Sequence, residues 1–517
     1  MQAISKGLGR RLVANAMANL AGQSLLLLLT FFSTPYIIRH FGAARFGALM
    51  LVLTYVEAFG LLELGINATL VKYMAELLEQ RRVQDVHAYF GTALTLYLAG
   101  GMLIAGLVAL SSQWVIANFM NIGEELQQHV VHAFWIASVA FLFRFVSQPA
   151  SGIPIAAQRF DIANYVSVGS EIIRVLGSVA VVYFGYLLQG VLVVILVANL
   201  FSCAAYFIIA QRLIPGLSLW PRFSSGHLRS LFHFSKFILI ANVSGRAVSY
   251  ADNLMIGYFL PVVAVGFYTI PYGVCKRLSA FVQNLAVVVF PAASSLSATA
   301  QPQQLEELYL RGSKMVAAAV SFPALALCLF SSEFLRYWIG PEFAQQGALA
   351  MRLLTLGFLL SCLGHIPFLF LQGTGYPQIA ARFAGGQAVL IVILFWIFIP
   401  RFGIAGAAAG FLIAQSIVMP WMTHCCNRLL QIGWTRVLVT TYASVVPTSV
   451  LASLACLALR SWVSSLFSLA VVVAVGLVVY LAMVVAIVFD GKERATCWQF
   501  VSARSFSVAS RREPKKV

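Results

Sequence analysis

The chain has 517 residues, of which 61% are hydrophobic and only 10% are charged. A soluble domain carries about 25% charged residues, so this composition excludes an ordinary soluble protein and indicates a chain whose solvent is lipid. The net charge of +17 does not indicate nucleic-acid binding, because the basic residues lie in short stretches between apolar runs and not on one face or in one domain.

A membrane-spanning helix needs about 20 mostly apolar residues, and runs of this length recur along the chain. The first run follows Lys6, Arg10 and Arg11 and has no small-residue cleavage site, so we expect an uncleaved first helix and not a secretory signal. In chain order, the pattern predicts about 14 spans, at 14–38, 46–70, 88–112, 131–155, 164–187, 190–211, 235–259, 264–288, 314–338, 348–371, 377–399, 403–427, 437–459 and 465–489.

Lysine and arginine are shared unequally between the two sets of loops that these spans define. The set that includes both termini holds 23 of the 34 basic residues, and the opposite set holds six. Cytoplasmic loops are the ones enriched in lysine and arginine, so we expect both termini to be cytoplasmic. The loop at 113–130 contains Glu124 and Glu125 and no basic residue, which is typical of an external loop.

Motifs of enzymes and of metal sites are missing from the sequence. It contains neither the phosphate-binding G-x-x-x-x-G-K-[ST] loop nor H-E-x-x-H nor G-x-S-x-G. Most of the eight cysteines lie in apolar runs, where a free cysteine acts as a small hydrophobic residue. His129 and His132 have no further ligands nearby and are interpreted as a solvated helix end. We therefore expect no catalytic residue, no cofactor and no metal.

Five basic residues that belong to neither set of loops lie near the middle of predicted spans, namely Arg144, Arg174, Arg246, Lys276 and Arg277. A charge at the bilayer centre costs at least about 2.5–3.5 kcal/mol, so each should face a watery cavity or a partner. An excess of positive charge suits an anionic substrate. Arginine suits phosphate in particular, because its planar donors bind two oxygens at once. These five residues are our candidates for substrate binding.

The acidic residues that could pair with them are Glu57, Glu63, Glu171 and Asp252. Glu171 precedes Arg174 by three residues, so the two can pair on one helix face. Asp252 is six residues from Arg246 and lies on a different face. We regard Asp252, Glu171 and Glu57 as candidates for ion coupling or structural pairing.

An internal repeat is visible in two short segments. Ala-Asn-Leu-Ala-Gly at 18–22 is similar to Ala-Asn-Val-Ser-Gly at 241–245, and each is followed about 25 residues later by a glycine next to an aromatic residue, at 46–47 and 266–267. Two halves of six helices each would share one orientation and be related by an axis along the membrane normal.

Four segments together resemble those of a known family. They are Phe41-Gly42-Ala43-Ala44-Arg45-Phe46-Gly47 leading to Leu62-Glu63-Leu64-Gly65-Ile66, Ala157-Gln158-Arg159-Phe160 with Asn164, Asp252-Asn253-Leu254-Met255-Ile256-Gly257 with Val265-Gly266-Phe267-Tyr268, and Phe290-Pro291-Ala292. Over about residues 10–430 the chain resembles the polysaccharide transporters of the multidrug/oligosaccharidyl-lipid/polysaccharide exporter superfamily, which include Wzx-type O-antigen flippases. Glu63 stands where that family usually has aspartate.

The resemblance implies an all-α polytopic membrane protein with two six-helix lobes, as in multidrug and toxin extrusion (MATE) transporters, and two added C-terminal helices. The expected organisation is an N-terminal lobe at 1–211, a cytoplasmic linker at 212–234, a C-terminal lobe at 235–430, the added helices at 431–489 and a basic cytoplasmic tail at 490–517. It also implies alternating access around a central cationic cavity, where Arg246, Lys276 and Arg277 match positions that are often basic. Arg144 and Arg174 have no such match.

The activity implied is that of an inner-membrane flippase that moves an undecaprenyl-pyrophosphate-linked oligosaccharide for O-antigen, capsule or exopolysaccharide synthesis. The expected partners are the lipid bilayer, this lipid-linked glycan, a polysaccharide polymerase and a chain-length regulator, with no nucleic acid. A cation-coupled multidrug antiporter of the same superfamily would favour cavity carboxylates and usually 12 helices. A membrane glycosyltransferase or ligase would need a large external loop. Both alternatives stay open at this point.

Overall fold

A computed structural model of the chain describes residues 2–63, 66–80, 82–228, 250–286, 289–299, 301–491 and 494, with side chains from Gly22 onward except at 61 and 62. These residues are helical or in turns, and they contain no strand. The helices of the first part are α1 (Gln2–Phe41), α2 (Ala43–Ala58), α3 (Ile66–Glu79), α4 (Val83–Asn118), α5 (Glu124–Val146), α6 (Gln148–Ala156), α7 (Phe160–Tyr183) and α8 (Leu188–Leu213).

The second part begins with α9, helical at 250–259. It continues with α10 (Val262–Ala286), α11 (Val289–Ala298), α12 (Pro302–Leu329), α13 (Ser331–Trp338), α14 (Pro341–Leu363), α15 (His365–Gly373), α16 (Pro377–Leu429), α17 (Trp434–Val437), α18 (Val445–Ala458) and α19 (Leu466–Met483). One π-helical turn (Leu438–Tyr442) joins α17 to α18, and another (Val484–Val488) extends α19.

One predicted span needs correction, and two others lie in one long helix with a break between them. The span predicted at 46–70 is broken, because α2 ends at Ala58 and a 3-10 turn (Phe59–Glu63) precedes α3. The helix α16 contains the two spans predicted at 377–399 and 403–427. Gly403 separates them with φ 60° and ψ −141°, a left-handed conformation that glycine adopts without a steric penalty.

The all-α polytopic membrane fold is confirmed. Among the described residues, ten helices are long and apolar enough to cross a membrane, or eleven if α10 and α11, bent by 42°, form one span. Outward-facing apolar side chains such as Leu110, 84% exposed, and Phe467, 80% exposed, fit contact with lipid. The count of 14 stays a prediction, because residues 235–249 of the predicted seventh span lie outside the described residues.

By its internal contacts the chain divides into two compact units. The first comprises Met1–Ile270 with Ala384–Ala407, and the second comprises Pro271–Phe383 with Ala408–Val517. The division therefore falls inside α10, at Pro271, and not in the predicted linker at 212–234. The assignment of helices to two lobes stays a prediction.

The two C-terminal helices pack inside the second unit. Tyr480 of α19 donates a hydrogen bond from its hydroxyl to the carbonyl oxygen of Ala318 in α12 at 2.7 Å, and its ring stacks on Phe322 at 5.1 Å. At the other end of the hairpin, Arg460 donates to Glu333 of α13 at 2.6 Å. The hairpin is thus joined to α12 and α13 by buried aromatic packing and an ion pair.

Two helices lie where the sequence predicts a loop, between the spans at 264–288 and 314–338. They are α11 and the first three turns of α12, so Arg311 and Lys314, which the total of 23 loop charges includes, are helical. The polar start of α12 hid this helix from a search for apolar runs. Lys314 is only 4% exposed, and its Nζ lies 3.5 Å from Oδ2 of Asp490, which follows the last helix.

Candidate functional site

Lys276 and Arg277 lie on the second half of α10, within the second unit. Both side chains are exposed. The Lys276 ammonium lies 5.6 Å from the ring centroid of Tyr272, one turn earlier on the same helix. An ammonium over an aromatic face is attracted by the ring quadrupole. This contact gives Lys276 a partial partner inside its own helix.

The opposite face of α10 explains why these two residues point away from the protein core. Cys275, Val282 and Ala286 are buried at positions that repeat every three or four residues, as one side of a helix does. The Cys275 thiol lies 3.2 Å from the hydroxyl of Thr355 in α14, and the Ser279 hydroxyl lies 3.7 Å from the thiol of Cys362. With this face held against α14, positions 276 and 277 face outward.

Arg277 differs from Arg144 and Arg174, the other described arginines near the middle of a predicted span. In the described part of the chain, no carboxylate lies within ion-pair distance of its guanidinium. A guanidinium in lipid without an anion or water is costly, so its surroundings must include one of them. The role of Arg277 in binding an anionic substrate stays a prediction.

Arg144 and Glu57 form an ion pair within the first unit. Nη1 of Arg144 in α5 lies 2.7 Å from Oε1 of Glu57 in α2, and the two side chains are 48% and 43% exposed. A partially exposed pair of this kind can remain a structural bridge or exchange its partners when a ligand enters. Their roles in substrate binding and ion coupling stay a prediction.

Glu171 and Arg174 pair within α7. Nε of Arg174 lies 2.8 Å from Oε2 of Glu171, and a second nitrogen of the guanidinium contacts the other carboxylate oxygen. The spacing of three residues is the one that brings side chains together on a helix face. Arg174 is thus neutralised by its own helix, which makes it less available to a substrate than Arg277.

Two further candidates lie near the start of the second half of the chain. Arg246 lies outside the described residues. Asp252 is 2% exposed in α9, and its Oδ1 accepts a hydrogen bond from the backbone N–H of Asn253 at 2.7 Å. Burial of this kind places Asp252 in the packing of the first unit, and its role in ion coupling stays a prediction.

Several polar contacts of the first unit were not anticipated from the sequence. Among them, Tyr97 donates from its buried hydroxyl to Glu63 at 3.3 Å, and Asn67 donates to Gln148 at 3.1 Å. Asn253 of α9 donates its amide to Thr54 of α2 at 3.1 Å. These residues are polar side chains within predicted membrane spans, and that position is the available indication in the sequence.

Among the residues that the structure describes, no group of three or more histidine, cysteine, aspartate or glutamate side chains could hold a metal ion. His129 and His132 lie in the first turns of α5. The polar side chains that the structure describes inside the spans therefore form ion pairs or hydrogen bonds, or are the outward-facing basic residues of α10.

Comparison with known proteins gives a family and a fold. Residues 21–346 match the family model described as polysaccharide biosynthesis protein. A protein of Shigella flexneri described as an O-antigen transporter is 20% identical over 425 residues, which cover 80% of this chain and 99% of that protein.

Two solved structures share the fold at low sequence identity. An inward-facing multidrug resistance MATE transporter of the MOP superfamily has a TM-score of 0.67 at 13% identity, with 80% of this chain and 98% of that chain covered. The lipid II flippase MurJ, in an inward closed conformation, has a TM-score of 0.64 at 15% identity, with 89% and 97% covered. At these identities the likeness shows the transporter fold alone.

Proposed function

Because the chain belongs to the polysaccharide biosynthesis protein family, we propose that it is a flippase for an undecaprenyl-pyrophosphate-linked oligosaccharide. It moves this lipid across the bacterial inner membrane by alternating access, for the synthesis of O-antigen, capsule or exopolysaccharide. Both termini are cytoplasmic. The descriptions of the Shigella relative as an O-antigen transporter and of MurJ as a lipid II flippase support the proposal.

The observation that carries the proposal is the outward-facing guanidinium of Arg277 next to Lys276. Two cations at adjacent positions of one membrane helix require an anion or water. A pyrophosphate offers several oxygens to a planar guanidinium and more than one negative charge. We infer that Arg277 binds the pyrophosphate and that Lys276 contributes a point charge from its position over Tyr272.

Transport without a nucleotide-binding motif must draw on a gradient or on consumption of the product. A membrane potential that is negative inside favours outward movement of an anion, by about 2.3 kcal/mol per charge per 100 mV.

Arg246 is the second arginine that we assign to the headgroup. In alternating access, closure on one side weakens the contacts made on the other, so a tightly bound anion can still be released.

The competing function is a cation-coupled multidrug antiporter, which the fold of the MATE transporter makes reasonable. That chemistry needs a carboxylate that can exchange a proton or cation with the substrate. Two of the candidate carboxylates, Glu57 and Glu171, are each engaged by an arginine. This pairing favours the flippase over the antiporter.

The direct test uses the purified full chain in liposomes. An undecaprenyl-pyrophosphate-linked oligosaccharide with a fluorescent saccharide is placed in both leaflets, and a membrane-impermeant reductant bleaches the outer leaflet. A flippase lets bleaching proceed beyond the outer-leaflet fraction, whereas empty liposomes stop there. The matched substrate is the same saccharide on undecaprenol without pyrophosphate, which should move no faster than in empty liposomes. Proton-driven uptake of a cationic dye without movement of the glycolipid would instead indicate an antiporter.

A further inference from the structure

An apolar groove of about 880 Å³ opens in the second unit. The end of α10 forms one wall with Phe281 and Leu285, and the end of the last helix forms the other with Leu481 and Val484. Met315 of α12 also lines the groove. The ends of three helices thus enclose a space that no side chain of the described residues fills.

This groove cannot be explained as a protein core or as a water-filled cavity. Phe281, Leu285, Met315 and Leu481 are 51%, 48%, 59% and 52% exposed, so they do not form part of a packed core. Water does not stabilise an apolar cavity, and an empty one forfeits the contacts of its lining. In a membrane-spanning unit, the available filling is an acyl chain.

The lining of the groove also includes polar side chains. Gln304, Glu307 and Arg311 lie on the first three turns of α12, and Arg311 is one helix turn before Met315. Nη2 of Arg311 lies 2.6 Å from Oε1 of Glu307, and the two side chains are 45% and 55% exposed. A half-exposed cation and a half-exposed anion therefore stand side by side in the lining of the groove.

We propose that this groove is a binding site for an aminophospholipid, a lipid whose headgroup carries a phosphate and a primary ammonium. The phosphate contacts Arg311, the ammonium contacts Glu307, and the acyl chains lie over Met315 between Phe281 and Leu481. Under the orientation predicted from the loop charges, the lipid belongs to the cytoplasmic leaflet. The inference is independent of the transported substrate.

Charge complementarity selects this lipid over other lipids. A purely anionic headgroup would satisfy Arg311 but would place its negative charge against Glu307, only 2.6 Å from the arginine. A quaternary ammonium could approach Glu307 but has no N–H to donate, and hydrogen bonds between charged groups are the stronger ones. A zwitterion with a primary ammonium matches both charges.

The test measures which lipids the full chain retains. The protein is reconstituted in vesicles of equal parts phosphatidylethanolamine, phosphatidylglycerol and phosphatidylcholine, extracted in mild detergent and analysed by native mass spectrometry. We expect one retained phosphatidylethanolamine per chain. Loss of one charged hydrogen bond lowers affinity by roughly tenfold, so Glu307→Gln should lower the preference for phosphatidylethanolamine over phosphatidylglycerol by about that factor. Arg311→Gln should lower retention of both lipids.

The matched control is Glu306→Gln, because Glu306 is the adjacent carboxylate of the same helix but pairs with Arg436 at 3.0 Å, away from the groove. It should leave lipid retention unchanged. A second pair of variants tests the apolar part: Met315→Trp should fill the groove and lower retention. Leu349→Trp, at a residue that is 55% exposed and outside the groove lining, should not.

Three results would overturn the proposal. One is equal retention of phosphatidylethanolamine by the Glu307→Gln and Glu306→Gln proteins. Another is preferential retention of phosphatidylglycerol by the unaltered chain. The last is displacement of the retained lipid by undecaprenyl phosphate at equal concentration, which would assign the groove to a polyprenyl chain.

Discussion

Gly47 of α2 and Gly266 of α10 pack against each other's helix backbone. A Cβ atom on Gly266 would lie 2.6 Å from the carbonyl oxygen of Ala43, and one on Gly47 would overlap the carbonyl oxygen of Val262. Small residues allow membrane helices to approach this closely, and close packing takes the place of the hydrophobic effect in lipid. These are the two glycines of the internal repeat seen in the sequence, so the repeated positions meet at one helix crossing.

Replacement of either glycine by alanine should destabilise the first unit. A methyl group at these positions has no free space, and over-packing costs about 1–3 kcal/mol. We expect Gly47→Ala and Gly266→Ala to lower the midpoint of thermal unfolding in detergent. The control is Gly273→Ala on the same helix, where a Cβ would meet nothing within 4 Å. Equal unfolding midpoints for the three variants would refute the tight crossing.

The ion pair of Arg144 and Glu57 should show coupling in a double-mutant cycle. Arg144→Gln alone leaves the Glu57 carboxylate without its partner, whereas Glu57→Gln with Arg144→Gln leaves no charge. We expect the double variant to be closer to the unaltered protein in membrane level and unfolding midpoint than Arg144→Gln alone. Strictly additive effects would show that the pair does not stabilise the fold. Unaltered stability with lost transport in both single variants would instead support a role in the transport cycle.

The sequence predicts some of these features and not others, for physical reasons. Membrane-spanning helices can be predicted from the sequence because a run of apolar residues is sufficient to specify one. The Glu171–Arg174 pair can be predicted because helix geometry brings side chains three residues apart close together. The Arg144–Glu57 pair joins residues that are 87 positions apart. Only the packing of α2 against α5 brings these two residues together, and no local pattern encodes it.

The start of the C-terminal tail is the clearest case of a revised expectation. The polar and basic composition of residues 490–517 predicts a cytoplasmic tail that is dispensable for transport. In the structure, however, Asp490 lies beside the buried Lys314, and Arg494 donates to the carbonyl oxygens of Phe489 and Ala486 at 2.9 and 2.6 Å. A basic side chain at a helix C-terminus satisfies carbonyl groups that lack a partner within the helix.

Truncations that differ by a few residues should separate these contacts from the rest of the tail. A chain that ends after Arg494 should insert and transport as the full chain does. A chain that ends after Phe489 should reach the membrane at a lower level, because it loses both the carboxylate next to Lys314 and the helix cap. Lys314→Met should partly restore the shorter chain, since a buried charge is then removed. Equal levels of the two truncated proteins would show that these contacts do not matter.

The predicted orientation can be tested by labelling with a membrane-impermeant maleimide in intact cells. Gly123 precedes α5 and Ser225 follows α8, and both residues are exposed. A cysteine at position 123 should react from outside, and one at 225 should react only after the cells are opened. The unaltered chain, labelled in parallel, accounts for its own cysteines. Reaction of position 225 from outside would reverse the orientation.

The central claim is that Arg277, with Arg246, holds the pyrophosphate during transport, and the liposome assay with the pyrophosphate-linked oligosaccharide measures it most directly. Arg277→Ala should abolish movement of the glycolipid while the protein unfolds at the same temperature. Arg277→Lys should retain part of the rate as a point charge without bidentate contacts. Lys276→Ala should have the smaller effect, because Lys276 is partly occupied by Tyr272. Full-rate movement by a stable protein with Arg246→Ala and Arg277→Ala together would contradict the account.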